Sequence, residues 1–153
     1  MAGSVAEGLF LEDFTEGRVI DTPGFTMTEA SIVEFASRFD PQPFHIDREA
    51  AERSMFEGLV ASGFHTLCVS FRLFTQTAVL VNNMGGPGLD DVRWHVPVRP
   101  GDTIRVRVTV AEARPSRSKP DRGIIKWRFE TLNQRGEVVM TALSLSFMKR
   151  REA

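Results

Sequence analysis

Between residues 103 and 148, apolar and polar positions trade places at every second residue. Ile104, Val106, Val108 and Val110 alternate with Thr103, Arg105, Arg107 and Thr109. Ile125, Trp127 and Phe129 alternate with Lys126, Arg128 and Glu130. In 137–148, Val139, Leu143, Leu145 and Phe147 alternate with smaller residues. A period of two marks a strand with one covered and one wet face, so 103–111, 124–132 and 137–148 are predicted to form an antiparallel sheet. Asn133-Gln-Arg-Gly136 supplies the last hairpin turn. Residues 89–96 (LDDVRWHV) add a strand, closed by Pro97 and the turn signal Pro100-Gly101-Asp102.

Earlier in the chain the period lengthens to that of a helix. Thr28 can cap a helix over 29–39, with Ile32, Val33, Ala36 and Phe39 on one face. Asp47 caps a short helix through Ala50, Ala51 and Ser54. From Ser62 to about Val81, Phe64, Leu67, Cys68, Phe71, Phe74 and Ala78 recur at helical spacing, with Arg72 as the charged exception. Such a helix is expected to be mostly buried, with Cys68 in the core. Residues 17–27 read as a short edge strand broken by Pro23-Gly24. A sheet with one apolar side needs a cover, and the 62–81 helix is apolar enough to lie in its concavity. The expected class is α+β, one domain over 1–153.

Composition narrows the function. Hydrophobic content of 42% and charged content of 25% are those of a globular chain. A net charge of −1 gives no case for nucleic-acid binding. One cysteine excludes an internal disulfide and a cysteine-based zinc cluster. The opening MAGSVAEGLFLEDF lacks a basic and then apolar leader pattern, and no apolar run approaches ~18 residues. A cytoplasmic protein without membrane contact is the expectation.

Candidate chemistry is concentrated in Asp40-Pro-Gln-Pro-Phe-His45. Pro41 and Pro43 are expected to keep this stretch out of a helix, so that Asp40 and His45 can turn towards one small volume. Ser62-Gly63 follows at the start of the apolar helix, where backbone N–H groups lack helical partners. A carboxylate, an imidazole and a donor for developing negative charge are the ingredients of proton transfer next to a carbonyl. Ser62 reads as an N-cap, since no Gly-x-Ser-x-Gly surrounds it. His65 is placed to line a pocket or to pack, and His95 reads as structural.

These residues resemble the MaoC-like acyl dehydratases, the hot-dog family that includes (R)-specific enoyl-CoA hydratases. The family's Asp, Asn-Pro-x-His and following Asp are matched by Asp40, Gln42-Pro43-Phe44-His45 and Asp47. Its His-Gly-Met corresponds to Ser62-Gly63-Phe64, and its aromatic-x-x-Pro-Val-x-x-Gly-Asp to Trp94 through Asp102. Gln42 and Ser62 depart from the family's Asn and His. The resemblance implies a hot-dog fold and water addition to a trans-2-enoyl thioester, giving an (R)-3-hydroxyacyl product. Asp40 and His45 would be catalytic, the Gly63 N–H would hold the oxyanion, and Ser62, Gln42 and His65 would border the substrate. It implies a coenzyme A or acyl-carrier-protein thioester as substrate, no metal or redox cofactor, and a homodimer.

Two alternatives remain on the same fold: an acyl-CoA thioesterase, and a non-catalytic acyl-thioester-binding protein. The segment 114–128 carries six basic residues against Asp121. It reads either as a grip for coenzyme A phosphates or as a solvated hairpin.

Overall fold

The computed structural model describes residues 8–151. Short strands β1 (Val19–Asp21) and β2 (Phe25–Thr26) lead to helix α1 (Glu29–Phe39), followed by helical turns α2 (Pro43–Ile46) and α3 (Arg48–Glu52). Helix α4 (Gly63–Thr75) precedes β3 (Leu89–Trp94), β4 (Thr103–Pro115), β5 (Arg122–Leu132) and β6 (Val138–Lys149). The strands form one antiparallel sheet in the order β1-β4-β5-β6-β3, with β2 also pairing with β4. This sheet wraps α4, which is the expected hot-dog arrangement. Among the described residues no helix is long and apolar enough to cross a membrane.

The alternation read in the sequence is the alternation of burial. Ile104, Val106, Val108 and Val110 of β4, and Ile125, Trp127 and Phe129 of β5, face α4 and are buried. From α4, Val69, Leu73 and Phe74 meet them, and Phe74 makes edge contacts with Trp127 and Phe129. Phe14 makes a further edge contact with Trp127. Removing a fully buried aromatic of this kind costs about 3–5 kcal/mol.

Four expectations need correction. Strand β6 is out of phase with the predicted apolar face, because a register shift opposite Thr131 and Leu132 leaves both Val139 and Met140 buried. Beyond that shift Ala142, Ser144, Ser146 and Met148 point inwards, while Leu143, Leu145 and Phe147 are half-buried on the other face. Ser146 is satisfied there by accepting from the Trp127 indole N–H.

Helix α4 stops at Thr75 rather than near Val81. The Thr75 and Thr77 hydroxyls donate back to the carbonyls of Arg72 and Phe74, an alternative to continuing the helical ladder. Ala78 then adopts φ +61° as the chain turns away. The helix also keeps an exposed side: Phe64 is 57% exposed and Cys68 is exposed, not core. Phe39 is exposed as well, at the last position of α1, where the chain leaves the helix and carries Asp40 onwards.

Candidate active site

Asp40 is the C-cap residue of α1, and its carboxylate turns towards the amino end of α4. Ahead of Pro41, Asp40 is not extended (φ −154°, ψ 67°) and its carbonyl accepts from the Gln42 N–H. Pro43 does hold Gln42 extended (φ −74°, ψ 140°) but starts a helical turn instead of preventing one. It occupies the first position of α2, where a missing N–H does no harm, so His45 lies on a helical turn rather than a loop. That turn brings the ring back towards Asp40. His45 Nε2 lies 3.3 Å from Asp40 Oδ2, and both side chains are largely buried.

The other ring nitrogen fixes the imidazole. His45 Nδ1 is 2.7 Å from the Val60 carbonyl oxygen, which can only accept, so Nδ1 carries the proton and donates. The edge presented to Asp40 is therefore Nε2. Asp40 also accepts from the Ser62 hydroxyl at Oδ2 (2.7 Å) and from the Gln42 amide at Oδ1 (2.8 Å). Burial pushes the Asp40 pKa up, but the Ser62 and Gln42 hydrogen bonds and the charge of His45 outweigh it. The net effect holds this carboxyl below its ordinary value.

Ser62 has two tasks. Its hydroxyl oxygen accepts from the Phe64 N–H as an N-cap while its hydrogen goes to Asp40. The Phe64 N–H is thereby occupied, and no described residue accepts from the Gly63 N–H. Gly63 is required for a reason the sequence did not show. A Cβ at this position would run into the Trp94 indole, whose N–H donates to the Gly63 carbonyl (2.9 Å).

Trp94 is the residue that sequence reasoning left without a role. Leu89 pairs with Ser144 and Trp94 with Met140, so five steps along β3 match four along β6. The extra residue is absorbed at a bulge where Asp91 has φ +53°. The bulge flips the phase of the strand, so that Leu89 and Trp94 both face α4. The signal was an aromatic residue just ahead of Pro97; the bulge itself leaves no pattern in the sequence.

Asp40, Gln42, His45 and Gly63 open onto one cavity of about 500 Å³, walled by Phe44, Phe56, Val60, Val96, Val98 and Val139. Trp94 and His95 also line it, and His95 Nε2 is hydrogen-bonded to the Thr141 hydroxyl. Of the site residues predicted from sequence, Ser62 is fully buried behind Asp40 and does not line the wall, and His65 stays out of it as well. It is buried against α1 instead, stacked on Phe35 with ring centroids 4.6 Å apart. The basic hairpin is also remote. Val139 lines the cavity, whereas the hairpin end of β5 pairs near Phe147, eight residues of strand or roughly 25 Å away. Three of its cations are engaged locally: Arg114 and Lys126 with Glu112, and Arg122 with Asp121. Within one chain none of its basic residues lines this cavity.

Comparison with known proteins matches residues 13–126 to the family described as MaoC like domain. An uncharacterized protein of Bacillus subtilis, YdeM, is 32% identical over 126 residues, covering 82% of this chain and 88% of that protein. An (R)-specific enoyl-CoA hydratase of Rhodospirillum rubrum is 28% identical over 71% of this chain and 74% of its own length. A mesaconyl-CoA hydratase of Haloarcula marismortui is 29% identical over 95% of this chain, which spans only 41% of that protein. Among solved structures, a MaoC-like dehydratase from Rhodospirillum rubrum is 42% identical. Its TM-score is 0.89, and the match covers 95% of this chain and 100% of that one. A Mycobacterium tuberculosis protein described as a double hotdog fold superposes with a TM-score of 0.75 at 18% identity, over 94% of this chain and 45% of that one, which bears on fold alone.

Proposed function

Because the chain belongs to the MaoC-like dehydratase domain family, we propose that its site adds water reversibly to a trans-2-enoyl thioester. The product is a 3-hydroxyacyl thioester of R configuration. The observation that carries this reading is the Asp40–His45 pair beside the Gly63 N–H, at the wall of an apolar cavity.

The hydrogen bonds leave room for the water. A carboxylate offers about four lone-pair sites; Ser62 and His45 face Oδ2 and Gln42 takes one site on Oδ1. The remaining Oδ1 site faces no described donor and is where the attacking water would sit. The 3.3 Å contact of His45 is long for a charge-assisted bond, so Nε2, held in place through Nδ1, can also face the same water. Asp40 takes a proton as the water oxygen bonds to the β-carbon. The π electrons move onto the thioester oxygen, which the Gly63 N–H stabilises at the positive end of α4. Collapse of the enolate takes a proton at the α-carbon, returned through the Asp40–His45 contact, so both groups end as they began.

The carrier is coenzyme A or an acyl carrier protein. A homodimer fits the surface: Phe64, Phe71, Leu89 and Trp94, all more than 40% exposed, lie on α4 and the edge strand β3. The described chain is read as one catalytic domain.

Incubation with crotonyl-CoA tests the reading. Loss of enoyl absorbance without release of thiol is expected. Thiol release instead would establish a thioesterase, and no change with any enoyl thioester would leave an acyl-binding protein.

A further inference from the structure

We infer that the acyl group accepted by this site carries no charge beyond the thioester, so that enoyl thioesters bearing a second carboxylate are excluded. This rests on the hydratase reading and narrows its substrate. It is not implied by the family, because one relative is named for the hydration of mesaconyl-CoA, whose acyl group ends in a carboxylate.

The chemistry of the wall makes the distinction. The ionisable residues lining the cavity are Asp40, His45 and His95, and no described Lys or Arg lines it. Phe44, Phe56, Val60, Val96, Val98 and Val139 offer no donor to an anion from their side chains. The nearby cations are committed elsewhere. Arg99 donates through Nη2 to the carbonyl of Phe56 (2.7 Å), and so ties down the backbone behind the wall. Arg93 is ion-paired with Asp91 (3.5 Å) at the β3 bulge, on the other face of the sheet. His95 is held by Thr141 at Nε2, and His45 by Val60 at Nδ1.

A carboxylate on the β-carbon would thus enter a largely apolar wall with no Lys or Arg to meet it. It would also approach the carboxylate of Asp40, which Ser62 and Gln42 keep in its anionic form. Desolvation and like-charge repulsion act in the same direction. A methyl group of the same size at that point has no charge to desolvate and none for Asp40 to repel.

Matched pairs isolate the charge. Crotonyl-CoA and the monothioester fumaryl-CoA differ by methyl against carboxylate on the β-carbon. Tiglyl-CoA and mesaconyl-CoA repeat the contrast with an α-methyl branch. The kcat/KM of the neutral member is expected to exceed that of the charged member by about 100-fold or more. Competitive inhibition by butyryl-CoA and succinyl-CoA, which cannot be hydrated, removes differences in alkene reactivity. Butyryl-CoA is expected to bind at least about tenfold more tightly.

Equal or better turnover of fumaryl- or mesaconyl-CoA, or tighter binding of succinyl-CoA, would overturn the inference and leave the hydratase reading standing. A cation donated by a second copy of the chain would show itself in this way. Absence of hydration for every neutral enoyl-CoA of four to eight carbons, as well as for the charged pair members, would instead remove the hydratase reading and the inference with it.

Discussion

The described chain has two cavities of similar size along α4, and only one of them looks like a place for chemistry. The first, of about 500 Å³, sits at the amino end of the helix and gathers Asp40, Gln42, His45 and Gly63. The second, of about 550 Å³, lies between the exposed side of α4 and the inner face of β6. Its wall holds Leu67, Cys68, Phe71 and Arg72 from the helix, and Ala142, Ser144 and Ser146 from the strand. It exists because β6 turns its small residues inwards. No carboxylate or imidazole lines it, and its serines are neutral. Volume therefore does not separate the two; the convergence of polar groups at a helix amino end does.

The sharpest way to break this contrast is Asp40→Asn. The amide keeps the shape but neither takes a proton nor accepts in the same pattern. Turnover of an enoyl thioester is expected to fall by roughly 10²–10⁴-fold. Ser144→Ala, in the second cavity, is expected to change kcat less than tenfold. Steady-state hydration kinetics of the two variants decide it: comparable losses would mean that both cavities, or neither, serve the reaction.

Gly63→Ala comes next. The added methyl must displace the Trp94 indole, and overpacking of this kind costs about 1–3 kcal/mol. Thermal or denaturant unfolding should show this loss, together with reduced turnover. In Gly63→Ala/Trp94→Phe the smaller ring makes space, so the stability cost should shrink, and a double-mutant cycle should return a coupling of opposite sign to the single losses. Additive effects would mean that the indole does not set the requirement for glycine.

Ser62→Ala is expected to act more mildly and on two observables. Losing the N-cap costs about 0.5–2 kcal/mol of stability. Losing the donor to Asp40 lets its pKa rise towards the ordinary carboxylate value, so the acid limb of the kcat/KM profile should move to higher pH. Ser62→Thr keeps both hydrogen bonds and should restore most of each. An acid limb that stays in place in Ser62→Ala would leave Ser62 a cap and nothing more.

The contrast between the cavities also shows how far the sequence could be read. The helix at 29–39, the Thr28 and Asp47 caps and the alternation in β4 and β5 rest on local periodicity and hydrogen bonding, and each appears in the structure. The grouping of Asp40, His45 and Gly63 was legible because the spacing of Asp40 and His45 and the start of an apolar helix are both local features. Three features were not. The bulge that re-aims Trp94, the shift that reverses the faces of β6 and the early end of α4 each arise where strands or helices meet distant partners. A one-residue slip turns a whole strand face over, and nothing in the alternating pattern records it. The exposed side of α4 was misread for a related reason. Apolar periodicity reports a surface to be covered, not whether the same chain covers it.

The smallest expected effect concerns His65, which the sequence placed beside the pocket and the structure places between α4 and α1. Its ring lies flat on Phe35, its Nδ1 has no hydrogen-bond partner, and burial lowers its pKa. The folded protein thus resists protonating this group, whereas the unfolded chain binds a proton near the ordinary value of about 6.5. The unfolded state holds more protons over the interval between the lowered pKa and that value. Stability contributed by neutral His65 is therefore complete above about pH 7.5 and is lost as pH falls through 6.5, by at most about 1.4 kcal/mol per pH unit. His65→Phe keeps a stacking ring and removes the titration. Denaturant unfolding at pH 7.5 and pH 5.5 should show a larger loss on acidification for the parent protein than for the variant. Asp40 does not confuse this interval: its lowered pKa makes a contribution that is lost only as pH falls below the carboxylate range. Equal losses for both proteins would mean that α1 and α4 separate without regard to the charge on His65. The stack would then be packing alone, with no part in keeping Asp40 against the amino end of α4.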